Sequence, residues 1–256
     1  MSDAWSALRR FTQARIALGR AGHALPTLAL LEFQLAHARA RDAVWRPWDV
    51  QAFAAEARAS GAECLILETR VADRSEYLRR PDLGRLLAAE SRELLRRHAP
   101  AEVEYEIALA VTNGLSSAAV DRHGLPLLRA VREGYLGRGF RVGPVGLAAN
   151  GRVALSDDIG SALRARVAVI IVGERPGLSA ADSLGIYLTY APRIGTTDAE
   201  RNCISNIRPP EGLDYATAAA KLMRLTEEAL RRQVSGVDLK DESLPSPEPR
   251  PGELPA

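Results

Sequence analysis

The chain has 256 residues and an apolar fraction of 46%, so it is long enough to bury its own core without disulfides or a structural metal. Its formal net charge is only +2, and its 34 basic residues are scattered among 32 acidic ones, which argues against a nucleic-acid-binding protein. There is no apolar leader region and no apolar run approaching about 18 residues, so we expect a cytoplasmic protein that does not span a membrane. The two cysteines, Cys64 and Cys203, are too far apart to indicate a disulfide framework or a zinc site.

Residues 1–60 are predicted to form an N-terminal helical segment with a docking arm. The arm is the polar stretch 12–26, in which two glycines and a proline interrupt any helix, and a plain connector is the alternative. A helix is expected over 27–44, because apolar residues recur there at the spacing of one buried face. Asp49 is a suitable N-cap for a short second helix. The predicted buried face of the first helix carries Leu28, Leu31, Leu35 and Ala38.

The strongest strand signal is Val167–Gly173, where six consecutive apolar residues, most of them β-branched, precede a glycine. A strand without polar alternation is typically buried on both faces, as in the middle of a parallel sheet. The alternation of further strands and helices predicts an α/β fold with a doubly wound, mostly parallel sheet over residues 61–237. The other expected strands are 64–69, 103–111, 140–148 and 184–190, with a short strand or hairpin at 152–155, and the helices are 81–98, 117–137, 157–164 and 213–234.

Three polar segments are predicted to lack regular structure. Residues 73–80 are expected to bridge a strand and a helix, and residues 192–210 to form a loop. Residues 238–256 contain five prolines and five carboxylates, which leave too little apolar content to order this tail.

Two polar turns follow buried strands, Asn-Gly-Leu-Ser at 113–116 and Gly-Glu-Arg-Pro-Gly at 173–177. Ligands of α/β sheets bind beyond the carboxyl ends of the strands, so both turns could face one cleft, with Glu174 and Arg175 as the first candidates for binding. The alternative is that both are ordinary tight turns, in which Glu174 pairs with Arg175 or with solvent. Neither turn matches a nucleotide-binding motif or the nucleophile motif of hydrolases, so those functions lose support.

The four histidines show no metal-ligand spacing. Residues 121–124, Asp-Arg-His-Gly, begin like the D-x-H-x-x-G motif with which some proteins offer a histidine to cobalt, but residue 126 is proline and the motif fails. Residues 200–207 place many hydrogen-bonding side chains around Cys203, although an ordinary polar loop explains them equally well. We assign no catalytic residue and no metal site.

Six short motifs occur together in this chain: Gly-Arg-Ala-Gly at 19–22, Arg-Pro-Asp-Leu-Gly-Arg at 80–85, Asn-Gly-Leu-Ser at 113–116, Val-Gly-Glu-Arg-Pro-Gly-Leu at 172–178, Tyr-Ala-Pro-Arg at 190–193 and Asn-Cys-Ile-Ser-Asn-Ile at 202–207. In this order and spacing the chain resembles the small (light) subunit of ethanolamine ammonia-lyase over about residues 12–236. It departs from the family at Asn113, where aspartate is usual, and in the loop before Cys203, which is shorter by one residue.

The resemblance implies a Rossmann-like small subunit that assembles with a large TIM-barrel subunit, which holds the substrate and most catalytic groups. It further implies that adenosylcobalamin lies between the two subunits and that the enzyme converts ethanolamine to acetaldehyde and ammonia. The family residues that contact the corrinoid map onto Val153, Glu174 and Cys203. Since the cobalt-binding histidine motif fails, the cofactor is expected to keep its own dimethylbenzimidazole as the axial ligand. The hetero-oligomer would be cytoplasmic, either free or inside a bacterial microcompartment.

Two other classes of protein stay open from the residues themselves. A non-catalytic interaction protein, such as an assembly factor for a catabolic compartment, would need the sheet but not the cleft. A self-contained small-molecule enzyme would need a nucleophile and a base, and the sequence suggests no such pair.

Overall fold

The computed structural model describes residues 5–12, 14–101 and 105–240, which form an α/β fold around a six-stranded sheet. The strand order is β1-β3-β2-β4-β5-β6; β1, β3, β2 and β4 are parallel, whereas β5 and β6 are antiparallel to their neighbours. The α/β prediction is confirmed, and the sheet is mixed. The strands are β1 Cys64–Leu67, β2 Ile107–Thr112, β3 Val145–Ala148, β4 Val167–Gly173, β5 Leu184–Tyr190 and β6 Arg201–Ile207.

The connections explain why the sheet changes direction after β4. A parallel connection needs a crossover of a dozen or more residues, usually a helix. Residues 174–183 join β4 to β5, and residues 191–200 join β5 to β6; both links are shorter than that and contain no α-helix. The chain therefore returns directly, and β5 and β6 add to the sheet as antiparallel strands.

The centre of the sheet is the parallel pair of β2 and β4. Every residue of both strands is buried, and they pair in register from Ile107 beside Val167 to Thr112 beside Val172. The prediction of a fully buried central strand is confirmed. The predicted strand 103–111 begins at residues that lie outside the described part of the chain, and the observed strand starts at Ile107.

Helices cover both faces of the sheet. One core joins α2, α6 and α8 to residues such as Leu109 and Val169, and the other joins α4 and α7 to Ala110 and Ile170. Alternate residues of each central strand thus enter different cores. The helices are α1 Thr27–Trp45, α2 Val50–Ala59, α3 Arg74–Arg79, α4 Ala89–His98, α5 Ser117–Ala119, α6 Leu125–Leu136, α7 Leu155–Ala162 and α8 Tyr215–Arg232, with a π-helical segment Val120–Gly124 between α5 and α6.

The interpretation of residues 73–98 as a polar bridge followed by one helix is wrong. Asp73 caps helix α3 by accepting the Glu76 amide at 2.8 Å, and α4 begins only at Ala89. Between these helices Gly84 packs closely against Asn150. A Cβ atom added at Gly84 would lie 2.8 Å from the carbonyl oxygen of Asn150. Tyr77 of the supposed bridge is completely buried.

Two further local predictions, the loop 192–210 and the strand 152–155, are also wrong. The predicted loop 192–210 contains β6, a polar edge strand in which only Arg201, Ile204 and Ile207 are buried. The predicted strand 152–155 is a turn that leads into α7, since the amide of Leu155 donates to the carbonyl of Arg152 at 2.9 Å.

Helix α1 matches its predicted extent, but its predicted buried face is exposed. Leu28, Leu31 and Leu35 are 69%, 56% and 52% exposed, and Ala43 near the end of the helix is its one buried residue. The apolar spacing therefore reflects a surface that the described residues do not cover.

No helix within the described ranges is long and apolar enough to cross a membrane. The division of the chain into segments 1–60, 61–237 and 238–256 stays a prediction. Most of the predicted tail, 241–256, lies outside the described residues.

A buried ion pair attaches the edge strand β6 to helix α7. Arg201 donates from its two terminal nitrogens to the two carboxylate oxygens of Asp157 at 2.6 and 2.7 Å, and each side chain is 2% exposed. The same guanidinium donates to the Thr189 hydroxyl and to the carbonyl of Thr196. Burial raises the pKa of Asp157, and the hydrogen bonds from Arg201 oppose that rise. The carboxylate of Asp157 therefore depends on Arg201 to remain ionised, whereas the guanidinium stays protonated in any case.

We expect Arg201→Met to lower the free energy of unfolding by about 3–5 kcal/mol, because it leaves a buried carboxylate without its partner. The double variant with Asp157→Asn should recover part of this loss. Urea unfolding of the purified chain measures both. Arg138→Met is the control, since Arg138 and Glu227 form an exposed pair whose loss should change little. A single Arg201 variant as stable as the parent would show that this pair does not secure the edge strand.

Candidate functional site

A cleft of about 410 Å³ opens at the carboxyl ends of β2 and β4, where ligands of α/β sheets bind. Both predicted polar turns contribute to it, so the structure brings them together at one site. Its lining residues are Tyr77, Gly114, Leu115, Arg152, Val153, Val172, Gly173, Glu174, Arg175 and Tyr187.

The two turns meet because glycines allow a close backbone approach. Gly114 has φ +48°, and a Cβ atom there would lie 2.4 Å from the carbonyl oxygen of Gly173. A Cβ atom on Gly173 would lie 2.2 Å from the carbonyl oxygen of Ser116. Larger residues are excluded at both positions, since real Cβ atoms do not make such contacts. The amide of Leu115 uses this proximity to donate to Gly173 at 2.9 Å.

Asn113 joins the ends of β2 and β3 behind the cleft. Its side-chain amide donates to Ser117 at 3.0 Å, and its carbonyl oxygen accepts the amide of Asn150 at 2.7 Å. This buried side chain therefore uses both its donor and its acceptor. Asn113, which stands where the resemblance implies aspartate, therefore has hydrogen-bond partners at this turn.

Glu174 is held in place by neighbours from β5 and β6. Its carboxylate accepts the hydroxyl of Ser183 at 2.6 Å, the hydroxyl of Ser205 and the amide of Asn206 at 3.3 Å. A Cβ atom on Gly185 would lie 2.9 Å from the carboxylate, so the missing side chain makes room for it. Glu174 forms no ion pair with Arg175, and the interpretation that these two residues simply pair with each other fails. A carboxylate has about four acceptor sites, so one remains for a ligand.

Val153 and Glu174 line the cleft, whereas Cys203 lines a neighbouring hollow of about 470 Å³. Tyr187 lies between the two: it lines the cleft, and it is the partner of Cys203 across β5 and β6. Helix α7 packs against β2 and β4, so the faces of β5 and β6 around Tyr187 and Cys203 remain accessible. Two of the three predicted residues thus line one cleft, and the third lies across the sheet from Tyr187 at its side.

Sequence reasoning missed the arginines and the tyrosine at one side of the cleft. The guanidinium carbons of Arg74 and Arg152 lie 4.7 and 4.2 Å from the centre of the Tyr77 ring. Tyr77 donates to the carbonyl of Gly151 at 3.0 Å. A tyrosine within the polar segment 73–80 was the available signal, but two of its contacts, Gly151 and Arg152, are more than 70 positions away.

His123 lies away from the cleft, in the π-helical segment. Its imidazole is 3% exposed, its Nδ1 is 2.7 Å from the hydroxyl of Tyr215, and its Nε2 is 3.5 Å from a carboxylate oxygen of Asp182. Burial lowers the pKa of His123. Within the described residues, no group of histidine, cysteine and acidic side chains is arranged to hold a metal ion.

A larger cavity of about 800 Å³ lies between α1 and residues 178–182. Two of its arginines are paired with carboxylates: Arg46 with Asp121 at 3.0 Å and Arg122 with Asp182 at 2.7 Å. We favour the smaller cleft as the functional site because it lies at the strand ends and contains charged groups that still have hydrogen-bonding capacity.

The chain is an α/β protein with a cleft at the carboxyl ends of its parallel strands, the place where such folds bind ligands. Comparison with known proteins identifies the family. A family model for "Ethanolamine ammonia-lyase light chain (EutC)" matches residues 2–240. The chain therefore belongs to the family of ethanolamine ammonia-lyase light chains.

Individual relatives support the same assignment. The chain is 56% identical over 238 residues to the "Ethanolamine ammonia-lyase small subunit" of Ralstonia nicotianae, covering 93% of this chain and 88% of the relative. It is 54% identical over 240 residues to the protein of the same name from Azotobacter vinelandii, with the same coverage. A Pseudomonas aeruginosa protein of that name is 53% identical over 240 residues, again covering 93% and 88% of the two chains.

We expect Cys203 to react slowly with iodoacetamide at neutral pH although the residue is exposed. Partial desolvation of its sulfur raises the pKa of the thiol, and the hydrogen bond from Tyr187 opposes that rise. Tyr187→Phe should raise the pKa further and slow the reaction, because the thiolate is the reactive form. Alkylation rates between pH 7 and 10 test this. The Cys203→Ser variant measures the background alkylation of the buried Cys64. If Tyr187→Phe shifts the pH profile of the alkylation rate to lower pH, the expected hydrogen bond is contradicted.

Proposed function

We propose that this chain is the small subunit of an adenosylcobalamin-dependent ethanolamine ammonia-lyase, which converts ethanolamine to acetaldehyde and ammonia. In this proposal it binds the corrinoid at its interface with a large TIM-barrel subunit. The observation that carries the proposal is the cleft at the carboxyl ends of the strands in a member of this family, where Val153 and Glu174 lie together and Tyr187 leads towards its cross-strand partner Cys203.

The side chains at this surface fit the chemistry of a corrinoid. The rim of a corrin ring carries neutral amides, and the free acceptor site of Glu174 suits their N–H groups. Ser183 and Ser205 hold the carboxylate before any ligand arrives, so binding costs less conformational entropy. Val153 offers apolar contact, and Cys203 offers a small, polarisable one. When bound, the cofactor would supply radical chemistry, while this chain binds and orients it.

We propose that the cofactor retains dimethylbenzimidazole as its axial ligand. His123, the one candidate suggested by sequence, is buried against Tyr215 and does not line the cleft. Its imidazole would have to leave this position to reach a ligand there. The buried contacts therefore favour the cofactor's own base over a histidine of this chain.

The proposed partner surface is the apolar side of α1 with the adjoining arm at 19–22. The exposed leucines Leu28, Leu31 and Leu35 form an apolar patch of the kind that marks protein interfaces. We assign this patch to the large subunit, since the relatives of this chain are named as small subunits. A cytoplasmic location, free or within a microcompartment, remains part of the proposal.

A reconstitution experiment separates this function from the two alternatives. We expect the purified chain with adenosylcobalamin to show no ethanolamine deamination, because its described residues contain no activated nucleophile or metal group. Addition of the large subunit should produce turnover and should protect α1 from hydrogen exchange. Turnover by the chain alone would support a self-contained enzyme. If the large subunit assembles with this chain but deaminates ethanolamine equally well without it, an interaction protein would be supported.

Glu174→Gln should weaken adenosylcobalamin binding by the assembled enzyme about tenfold to hundredfold, or about 1–3 kcal/mol. The substitution replaces charge-assisted hydrogen bonds with neutral ones and adds a donor that faces the corrin amides. Turnover should largely recover at saturating cofactor. Absorbance titration and kinetics at varied cofactor concentration measure the two effects.

Glu227→Gln is the matched control, because Glu227 is exposed on α8 and pairs with Arg138 at the surface, away from the cleft. It should leave cofactor affinity unchanged. If Glu174→Gln also leaves affinity unchanged, or unfolds the subunit, the role of Glu174 is to hold Ser183 and Ser205 in place and not to bind the cofactor.

A further inference from the structure

Arg74 and Arg152 pack on the ring of Tyr77 and form no ion pair with any carboxylate of the described residues. Arg74 donates instead to the carbonyls of Val44 and Gly114 and to the side chain of Asn150. Two positive charges therefore lie on one aromatic ring without local neutralisation. Burial, together with the charge of Arg152, lowers the pKa of Arg74.

Three other arginines of the described residues whose side chains are little exposed are neutralised by carboxylates. Arg92, Arg201 and Arg208, whose side chains are 20%, 2% and 8% exposed, lie 2.5, 2.6 and 3.8 Å from a carboxylate oxygen. This difference matters because a charge taken out of water is costly unless it is paired. The missing counter-charge near Tyr77 indicates a place for an external anion.

The hydrogen-bonding capacity of Arg152 points to the same conclusion. A guanidinium has five N–H donors. Those of Arg152 make one described hydrogen bond, to the carbonyl of Tyr77 at 3.3 Å, and its Nε is buried without any partner. Arg152 lines the cleft, as does the exposed Arg175. Two guanidinium groups can therefore approach an anion in the same cleft as Glu174.

We propose that Arg152 and Arg175, with Arg74 behind them, form a subsite for a phosphodiester anion. This inference rests on the proposed function: cobalamin carries neutral amides on its corrin rim and one phosphodiester in its nucleotide loop. The carboxylate of Glu174 suits the amides, and a guanidinium suits phosphate oxygens because its planar donors bind them in pairs. The cleft thus presents an acceptor and a cationic donor group to two different parts of one ligand.

The test compares cobinamide, which lacks the nucleotide loop, with cobinamide phosphate, which adds a phosphate group. Both are titrated into the enzyme assembled from small and large subunits, and dissociation constants are read from absorbance changes. We expect the assembled enzyme to bind the phosphate form about tenfold more tightly. Arg152→Gln should bring the ratio of the two dissociation constants close to one, and Arg175→Gln should reduce it.

Two controls make the result independent of folding. Arg79→Gln removes the same charge from an exposed position on α3 that does not line the cleft, and it should preserve the ratio. Arg175 makes no described hydrogen bond and is exposed, so its substitution can be interpreted even if Arg152→Gln unfolds the subunit. Thermal unfolding of each variant shows whether it is folded.

The anion subsite would be overturned if the two cobinamides bound the unsubstituted enzyme with equal dissociation constants. It would also be overturned if the ratio of these constants stayed the same in both cleft variants. Weaker assembly with the large subunit at an unchanged ratio would overturn it as well, since the guanidiniums would then serve a partner carboxylate. If neither cobinamide binds measurably, adenosylcobalamin is titrated instead, and unchanged affinity in both variants overturns the subsite. Failure of adenosylcobalamin to bind the unsubstituted enzyme would reject the proposed function itself.

Discussion

The pairing of β2 with β4 is the constraint on which the rest of the structure depends. Both strands are buried on both faces, so their side chains supply the two cores that hold the helices. Their parallel direction brings two carboxyl ends to the same edge of the sheet. The cleft forms there because Gly114 and Gly173 let the turns approach more closely than any other residues could.

The antiparallel strands β5 and β6 give this cleft its chemical character. They bring Ser183, Gly185 and Ser205 to Glu174, and they extend the sheet beyond the cover of α7 to present Tyr187 and Cys203. A wholly parallel sheet would need crossover helices that cover its faces. The short links after β4 contain no such helices, so the side of the sheet that carries Tyr187 and Cys203 is less covered there.

Charge is distributed unevenly between the interior and the cleft. In the interior, Asp157 and Asp158 on adjacent positions of α7 each pair with an arginine, which joins α7 to β6 and to α4. At the cleft, Glu174 is bound by hydroxyls and an amide, and the arginines around Tyr77 pair with no carboxylate in the part of the chain that the structure describes. Charged side chains that are paired within the chain stabilise the fold. Charged side chains without such a pair are available to a ligand. This division matches the proposed role of a subunit that binds and orients a cofactor.

The sequence by itself determined the features that depend on local patterns: the buried strand β4, the extents of α1 and α8, the cap at Asp49, and the turn that carries Glu174. Continuous apolar runs, helical spacing and capping residues act over a few positions, so they can be recognised without the fold. The family was also recognisable, because its motifs are short contiguous segments.

The tertiary structure decided what depends on distant partners. The strand β6 was hidden because an edge strand with one solvated face has the composition of a polar loop. Burial of Tyr77 beneath two guanidiniums was equally hidden, because Arg152 follows it by 75 residues. The spacing of leucines on α1 identified an apolar face, but only the tertiary structure left that face exposed. Periodicity shows that a surface is apolar, whereas burial depends on which other surface reaches it.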